Sequence, residues 1–257
     1  MSSISIINTI GYPFTELDEI DSTNNYAFDQ LQANLAAHGA AFFAHKQTAG
    51  KGQRGKQWET QPNSNLILSV ILDMSFFSVN KQFLLSAAMA LAVHDFFNKY
   101  AGDETKIKWP NDIYWRDRKA GGILIESSIT AGKPIIGSWK WAVVGIGINI
   151  NQTSFPTNLV NPVSLKQITG KSYDTVTLAK ELCHCLEFRY QELKNGESKK
   201  SIDTYNLHLY KKQETVRLKK ENAAFKCKIE GVNKKGMLLV TGAAKESFTF
   251  GEVSWVL

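Results

Sequence analysis

Lys108-Trp109-Pro110-Asn111-Asp112-Ile113-Tyr114-Trp115, followed by Arg116-Asp117-Arg118-Lys119-Ala120-Gly121-Gly122-Ile123-Leu124-Ile125-Glu126, is the most informative continuous stretch of the chain. Proline disfavours helical geometry at the residue before it. The reading is therefore a strand over Thr105–Trp109, a turn presenting Asn111 and Asp112, a second strand over Asp112–Trp115 and a third over Gly121–Ile129. Two adjacent glycines allow a small ligand to press against the third strand. Lys119, directly before them, is placed to neutralise a carboxylate or a phosphate, and Asp112 to hold a metal or orient a cation. A purely structural turn would carry the same Trp-Pro-Asn-Asp run.

Working toward the N-terminus, Lys81–Tyr100 reads as a long, mostly buried helix and Leu66–Leu72 as a buried strand. The segment Gly50-Lys51-Gly52-Gln53-Arg54-Gly55-Lys56-Gln57-Trp58 combines three glycines with three cations and so suits a phosphate, although it matches neither a Walker loop nor a dinucleotide fingerprint. A mobile basic loop without a ligand would look similar. Before it lies a short apolar strand, Ala40–His45. Asp21-Ser22-Thr23-Asn24-Asn25 supplies N-cap side chains to a helix marked by Phe28, Leu31 and Leu35 and ended by Gly39.

Toward the C-terminus, Trp139–Ile150 is an apolar strand interrupted by Gly145 and Gly147, and a polar loop occupies much of Asn151–Gly170. Helices follow at Thr177–Leu193 and around Ile202, Tyr205 and Leu209. Five short strands then fit into the remaining residues: Thr215–Leu218, Ala224–Gly231, Gly236–Val240, Ser247–Phe250 and Val253–Val256. That pattern predicts a small barrel, with a domain of residues 1–210 and a second of 211–257.

With 257 residues, 43% hydrophobic, 21% charged, 18 Gly and 6 Pro, the chain is an ordinary globular one, and disorder, a collagen-like repeat and a disulfide scaffold are excluded. Three cysteines, no apolar run long enough for a membrane span and no secretory pattern in Met1–Gly11 lead to the expectation of a cytoplasmic protein. Residues 194–235 hold 12 Lys/Arg against 5 Asp/Glu, so the whole positive excess lies there. The default reading is a solvated surface, and steering of an acidic partner is the alternative. Cys183-His184-Cys185 lies on a helix, where residues two apart point to different sides, so packing is favoured over a shared metal.

Taken together, the motifs resemble the biotin protein ligases, also called biotin–acetyl-CoA-carboxylase ligases. Their Gly-Arg-Gly-Arg-Arg-Gly-x-x-Trp loop is similar to Gly50–Trp58. Their Lys-Trp-Pro-Asn-Asp run stands unchanged at 108–112, and their Lys-x-x-Gly-Ile-Leu-x-Glu segment matches Lys119–Glu126. Asp21-Ser22-Thr23-Asn24 is similar to the family's Ser-Thr-Asn, which meets the ureido ring of biotin. The resemblance runs from about Leu17 to the C-terminus.

It implies an α+β fold: a central mixed sheet with helices, of the class II aminoacyl-tRNA synthetase/biotin ligase type, followed by a small SH3-like β-barrel. It further implies a two-step ligase. Biotin and MgATP give biotinyl-5′-AMP, which then biotinylates a lysine of a biotin carboxyl carrier protein of acetyl-CoA carboxylase or a related carboxylase. By the same resemblance the catalytic residues are Lys119, Lys51 and Asp112, with Mg²⁺ at Asp112. Ser22, Thr23, Asn24, Gln47, Lys51, Gly52, Gln53, Lys119 and Gly122 meet biotin, while Lys51, Arg54, Trp58, Asn111 and Asn149 meet the nucleotide. The expected assembly is a monomer or homodimer, with no membrane or DNA partner, since Ser22 leaves no room before it for the DNA-binding domain of some relatives.

Two departures stand out. Gln53 is neutral where the family often has arginine, which shifts retention of the adenylate toward Lys51 and Lys119. The adenine-covering loop, Thr153–Pro162, lacks the tryptophan of some members, leaving Phe155 as the candidate cover. The rival readings are a lipoate or octanoate transferase, which would not be expected to keep the Lys-Trp-Pro-Asn-Asp run, and a nucleic-acid-binding protein using the basic segment.

Overall fold

The computed structural model describes residues 9–129 and 139–256. Most of the Met1–Gly11 start lies outside them. Seven strands, β1 (Phe14–Ile20), β2 (Ala41–Gln47), β3 (Leu66–Asp73), β4 (Thr105–Lys108), β5 (Asp112–Trp115), β6 (Arg118–Ile129) and β7 (Trp139–Ile148), form one sheet. Its order is β1-β2-β3-β7-β6-β5-β4. The β1–β2 pair is parallel and all the others are antiparallel, so the sheet is mixed, as expected.

Strand alternation separates its two faces. Leu66, Leu68, Val70 and Leu72 of β3 join the main core, which also takes in the helices α2 (Gln82–Ala101), α4 (Thr175–Lys194) and α5 (Ser198–Leu207). Leu85, Met89, Ala92 and Phe96 of α2 are fully buried there. Burial of a Leu, Met or Phe side chain stabilises by roughly 1.5–3 kcal/mol each. Ile71, next to Val70 on β3 and pointing the other way, packs instead with Phe42, Val143 and Ala27 of the helix α1 (Thr23–Gln32). Among the described residues, the part of this face between α1 and the β4 edge is covered by no helix of comparable length, and the candidate site lies on it.

Helix α1 is shorter than its apolar stripe suggests. It ends at Gln32, Asn34 turns into left-handed backbone (φ 56°), and Leu35 is left 73% exposed. An asparagine tolerates that conformation and so stops a helix early. The polar loop after β7 contains one short helix, α3 (Leu165–Thr169), started by a reciprocal capping box of Ser164 and Gln167 and closed by Gly170 at φ 74°.

After α5 the chain forms a second, antiparallel sheet of β8 (Thr215–Lys220), β9 (Ala223–Val232), β10 (Leu238–Thr241), β11 (Ser247–Phe248) and β12 (Ser254–Trp255). Its order is β11-β10-β9-β8-β12. This sheet leans on the turn after β4: Trp109 Nε1 donates to the Gly236 carbonyl at 3.0 Å, and the Lys108 amine lies 5.4 Å from the centre of the Trp255 ring.

Candidate active site

Sheet register lines up one row of residues across the uncovered face: Ile67, Gly147, Gly122, Asp112 and Lys108 are successive cross-strand partners. The next row holds Ser69, Gly145 and Leu124. Glycine at positions 122, 145 and 147 turns this part of the sheet into a trough. A Cβ on Gly145 would lie 2.3 Å from Asn24 Oδ1, and one on Gly147 would lie 2.4 Å from the Trp58 indole. Both positions need the missing side chain so that other groups can enter.

Lys119 reaches the same face only because of a bulge. Regular alternation would send residues 119 and 122 to opposite faces. Between Ile113 and Tyr114 the β5–β6 register shifts, so that Asp112 pairs with Gly122 but Tyr114 pairs with Lys119. The extra residue, Ala120, rotates Lys119 onto the trough side, a use typical of bulges beside active sites. Lys119 Nζ then lies 2.7 Å from Asp112 Oδ1. Its backbone is clamped by the end of the polar loop: Lys119 N donates to Asn161 O and Val163 N donates to Lys119 O, each at 2.8 Å.

At one end of the trough, α1 and β2 meet. The Thr23 N–H and hydroxyl both donate to Gln47 Oε1, at 2.8 and 3.1 Å. The Ser69 hydroxyl lies 2.7 Å from Thr23 Oγ1 and 2.6 Å from Asn24 Oδ1, and Asn24 Nδ2 donates to Glu126 Oε2 at 2.7 Å. Ser22 is the α1 N-cap residue, and its hydroxyl makes no capping hydrogen bond. The result is a buried set of donors and acceptors suited to a neutral, amide-like ligand head.

The other end carries charge. The glycine-rich loop folds back on itself through Trp58 N to Gly50 O (2.9 Å) and Gly52 N to Lys56 O (2.7 Å). It lays the Trp58 indole over Gly147, with Lys119 Nζ 5.8 Å from the ring centre. Trp58 Nε1 is buried without a hydrogen-bond partner among the described residues. Gln47, Gly50, Trp58 and Thr60 help line a cavity of about 270 Å³ under this loop. Lys51 Nζ lies 3.8 Å from Glu126 Oε1. Lys108 is buried behind Asp112, donating to Tyr114 Oη at 2.9 Å, and burial pushes its amine down to about 8.

Of the residues singled out in the sequence, Thr23, Asn24 and Gln47 therefore share one network, while Lys119, Asp112, Gly122 and Trp58 share one neighbourhood. Three others are directed elsewhere. Asn111 donates its amide to Ile123 O, Asn149 donates to Val163 O at 3.2 Å, and Arg54 donates to Gly251 O of the C-terminal sheet at 3.0 Å. The two asparagines hold the strand and strap that present Lys119. Ser69 and Glu126 were not singled out in the sequence. Ser69 sits in an apolar strand and leaves no local signal, whereas Glu126 closes the Lys119–Glu126 motif and its alternation with Gly122 was a usable one.

The model of the biotin/lipoate A/B protein ligase family matches residues 17–149, more than half of the chain. The bifunctional ligase/repressor BirA of Bacillus subtilis is 31% identical over 229 residues, covering 87% of this chain and 67% of that protein. The biotin–[acetyl-CoA-carboxylase] ligase of Mycobacterium tuberculosis is 28% identical, covering 75% of this chain and 71% of that protein. Among solved structures, the biotin protein ligase of Aquifex aeolicus in complex with biotin and ATP superposes with a TM-score of 0.77 at 26% identity, covering 94% of this chain and 97% of that one. The matched span includes the α1 start, the glycine-rich loop, the bulged lysine strand and the paired glycines of β7, and the chain belongs to the biotin/lipoate A/B protein ligase family.

Proposed function

We infer that the protein is an ATP-dependent ligase that activates biotin as biotinyl-5′-AMP and passes it to a lysine of a carboxylase's biotin carrier. The observation that carries this reading is the polarity of the trough. One end offers buried neutral donors and acceptors from Thr23, Asn24, Gln47 and Ser69, and the other offers the amines of Lys119 and Lys51. Biotin has that same polarity, a urea ring at one end and a carboxylate at the other.

Activation must bring the biotin carboxylate against the α-phosphate of ATP although both are anions. Lys119 and Lys51 lower that repulsion and hold the reacting groups in line. The carboxylate oxygen attacks the α-phosphorus, pyrophosphate leaves, and the carrier amine later attacks the acyl carbon and expels AMP. Asp112, already holding Lys119, orients that amine and then has the negative charge to attract the incoming ammonium, which sheds one proton to solvent before it attacks and a second as the amide forms. Arg54 and Trp58, on the loop, reach the nucleotide once the loop lets go of Gly251.

Mg²⁺ fits as a companion of the triphosphate. No group of three or more His, Cys, Asp or Glu among the described residues forms a metal cage, and Asp112 offers a single carboxylate in the trough next to the phosphate region. Mg²⁺ is commonly held by one or two carboxylates together with substrate phosphates and water. When bound, it withdraws charge from the phosphates. The C-terminal sheet is read as an SH3-like barrel, a unit of residues 211–257 that buttresses the Trp109 turn. The acidic carrier is its natural partner. Incubation with labelled biotin, MgATP and a carrier domain tests the reading: ATP-dependent label on the carrier is the expected result, and label from lipoate or octanoate in its place would overturn it.

A further inference from the structure

Strand β6 directs Gly122, Leu124 and Glu126 to the trough face, so Glu126 stands in a site whose two proposed small-molecule substrates are both anions. A carboxylate there weakens anion binding unless it has a task. Its two oxygens are used differently. Oε2 accepts from Asn24 Nδ2 at 2.7 Å, in the neutral end of the trough. Oε1 faces Lys51 Nζ at 3.8 Å, too far for a hydrogen bond, so this contact is held by charge alone. Both partners are partly open to solvent, 43% for the Lys51 side chain and 33% for that of Glu126.

We propose that Glu126 is a positioning residue: it parks the Lys51 ammonium in the ligand-free protein and yields it to an anionic substrate oxygen, carboxylate or phosphate, when substrate arrives. The identity of the anion rests on the ligase reading above. The exchange moves no proton and breaks no covalent bond; one ion pair replaces another. What the substrate gains from Lys51 is offset by what Glu126 loses, so Glu126 sets the affinity for the charged part of the substrate. Its other oxygen meanwhile keeps the Asn24 amide oriented, with Oδ1 toward Ser69.

Glu126→Gln separates the two tasks, because its amide oxygen still accepts from Asn24 while the charge is lost. Calorimetric titration of the full chain with biotin, with MgATP and with biotin methyl ester reads them apart. Expected for Glu126→Gln is tighter binding of biotin or MgATP by about two- to fivefold, the range for partly exposed ion pairs. The gain should shrink as salt rises, and ester binding should be unchanged. A gain with biotin identifies the carboxylate as the exchanging anion; a gain with MgATP alone identifies the phosphate. In a Lys51→Met background the gain should vanish. Glu126→Ala should weaken ester binding as well, since Asn24 then loses its acceptor.

Unchanged or weaker binding of both anions by Glu126→Gln overturns the proposal, as does a gain that survives Lys51→Met. If the unaltered protein binds neither biotin nor its ester, the ligase reading itself falls. If it binds both and Glu126→Gln shows no gain, only the role of Glu126 falls.

Discussion

At the α1 end of the trough, Thr23, Asn24 and Ser69 are buried and joined, with Gln47, by hydrogen bonds of 2.6–3.1 Å. At the loop end, Lys51, Arg54 and Lys56 are exposed; the loop's backbone hydrogen bonds close within the loop itself, and the cations Arg54 and Lys51 reach the rest of the protein through Gly251 O and Glu126. The first end is interlocked by its own hydrogen bonds; the second gathers charge and leaves it exposed. A neutral ring is best recognised by groups already in place, because a buried donor or acceptor left unpaired costs about 1–3 kcal/mol. Anions are attracted over several ångströms, so a flexible cation can find them late and exclude water as it closes.

The largest expected effect comes from the point where the two ends meet. Lys119→Ala should reduce adenylate formation by about a hundredfold, on the order of 3 kcal/mol for one preorganised charged contact, while leaving the fold intact. Pyrophosphate release measures it, and a near-normal rate would detach chemistry from the bulged lysine. Next is Gly145→Ala, whose Cβ must displace Asn24. Overpacking of this kind costs roughly 1–3 kcal/mol. Melting temperature and biotin affinity should fall together, with ATP affinity much less affected, which breaks the prebuilt end alone.

Lys108 tests the support behind Asp112. Its folded-state pKa, about 8, lies below its ordinary value of 10.5, so above pH 8 the unfolded chain binds more protons at this residue than the folded one. Stability from Lys108 should therefore rise with pH from about 8 toward 10, by about 1–2 kcal/mol. Lys108→Met should remove that rise in denaturant melts compared with the unaltered protein over pH 7–9.5. A parallel rise in both proteins would place its source elsewhere.

The smallest effect concerns the basic segment. Lys211 pairs with Asp117 and Glu214, and Lys220 with Glu252, so part of that excess is neutralised within the protein. Arg217 and Lys226 are exposed and directly opposite each other on β8 and β9, where like charges repel. Replacing Arg217, Lys219 and Lys226 by Gln should raise the KM for an acidic carrier about two- to fivefold at low salt and leave adenylate synthesis unchanged, as exposed charges act mainly on encounter. Equal losses in both half-reactions would place these residues in the nucleotide site.

The order of the four longer helices, the six strands of the main sheet other than β1, and the grouping of Ser22–Asn24, Gly50–Trp58, Lys108–Asp112 and Lys119–Glu126 into a ligase pattern are all legible in the sequence; the short helix α3 inside the polar loop is not. They depend on local rules: apolar periodicity, glycine and proline punctuation, and contiguous motifs. Even Gly145 and Gly147 could be marked as points of close approach, although not what approaches them. Other features depended on pairing between distant strands. Whether Lys119 faces the trough or the core is decided by one extra residue in the β5–β6 ladder, since a shift of one reverses a side chain's direction. Ser69 and Glu126 enter the site through register with Gly145 and Val143, and Asn111 and Asn149 become supports for the same reason. Local sequence specifies which way each segment bends; only the closed sheet specifies which face each side chain shares, because that depends on partners far away in the chain.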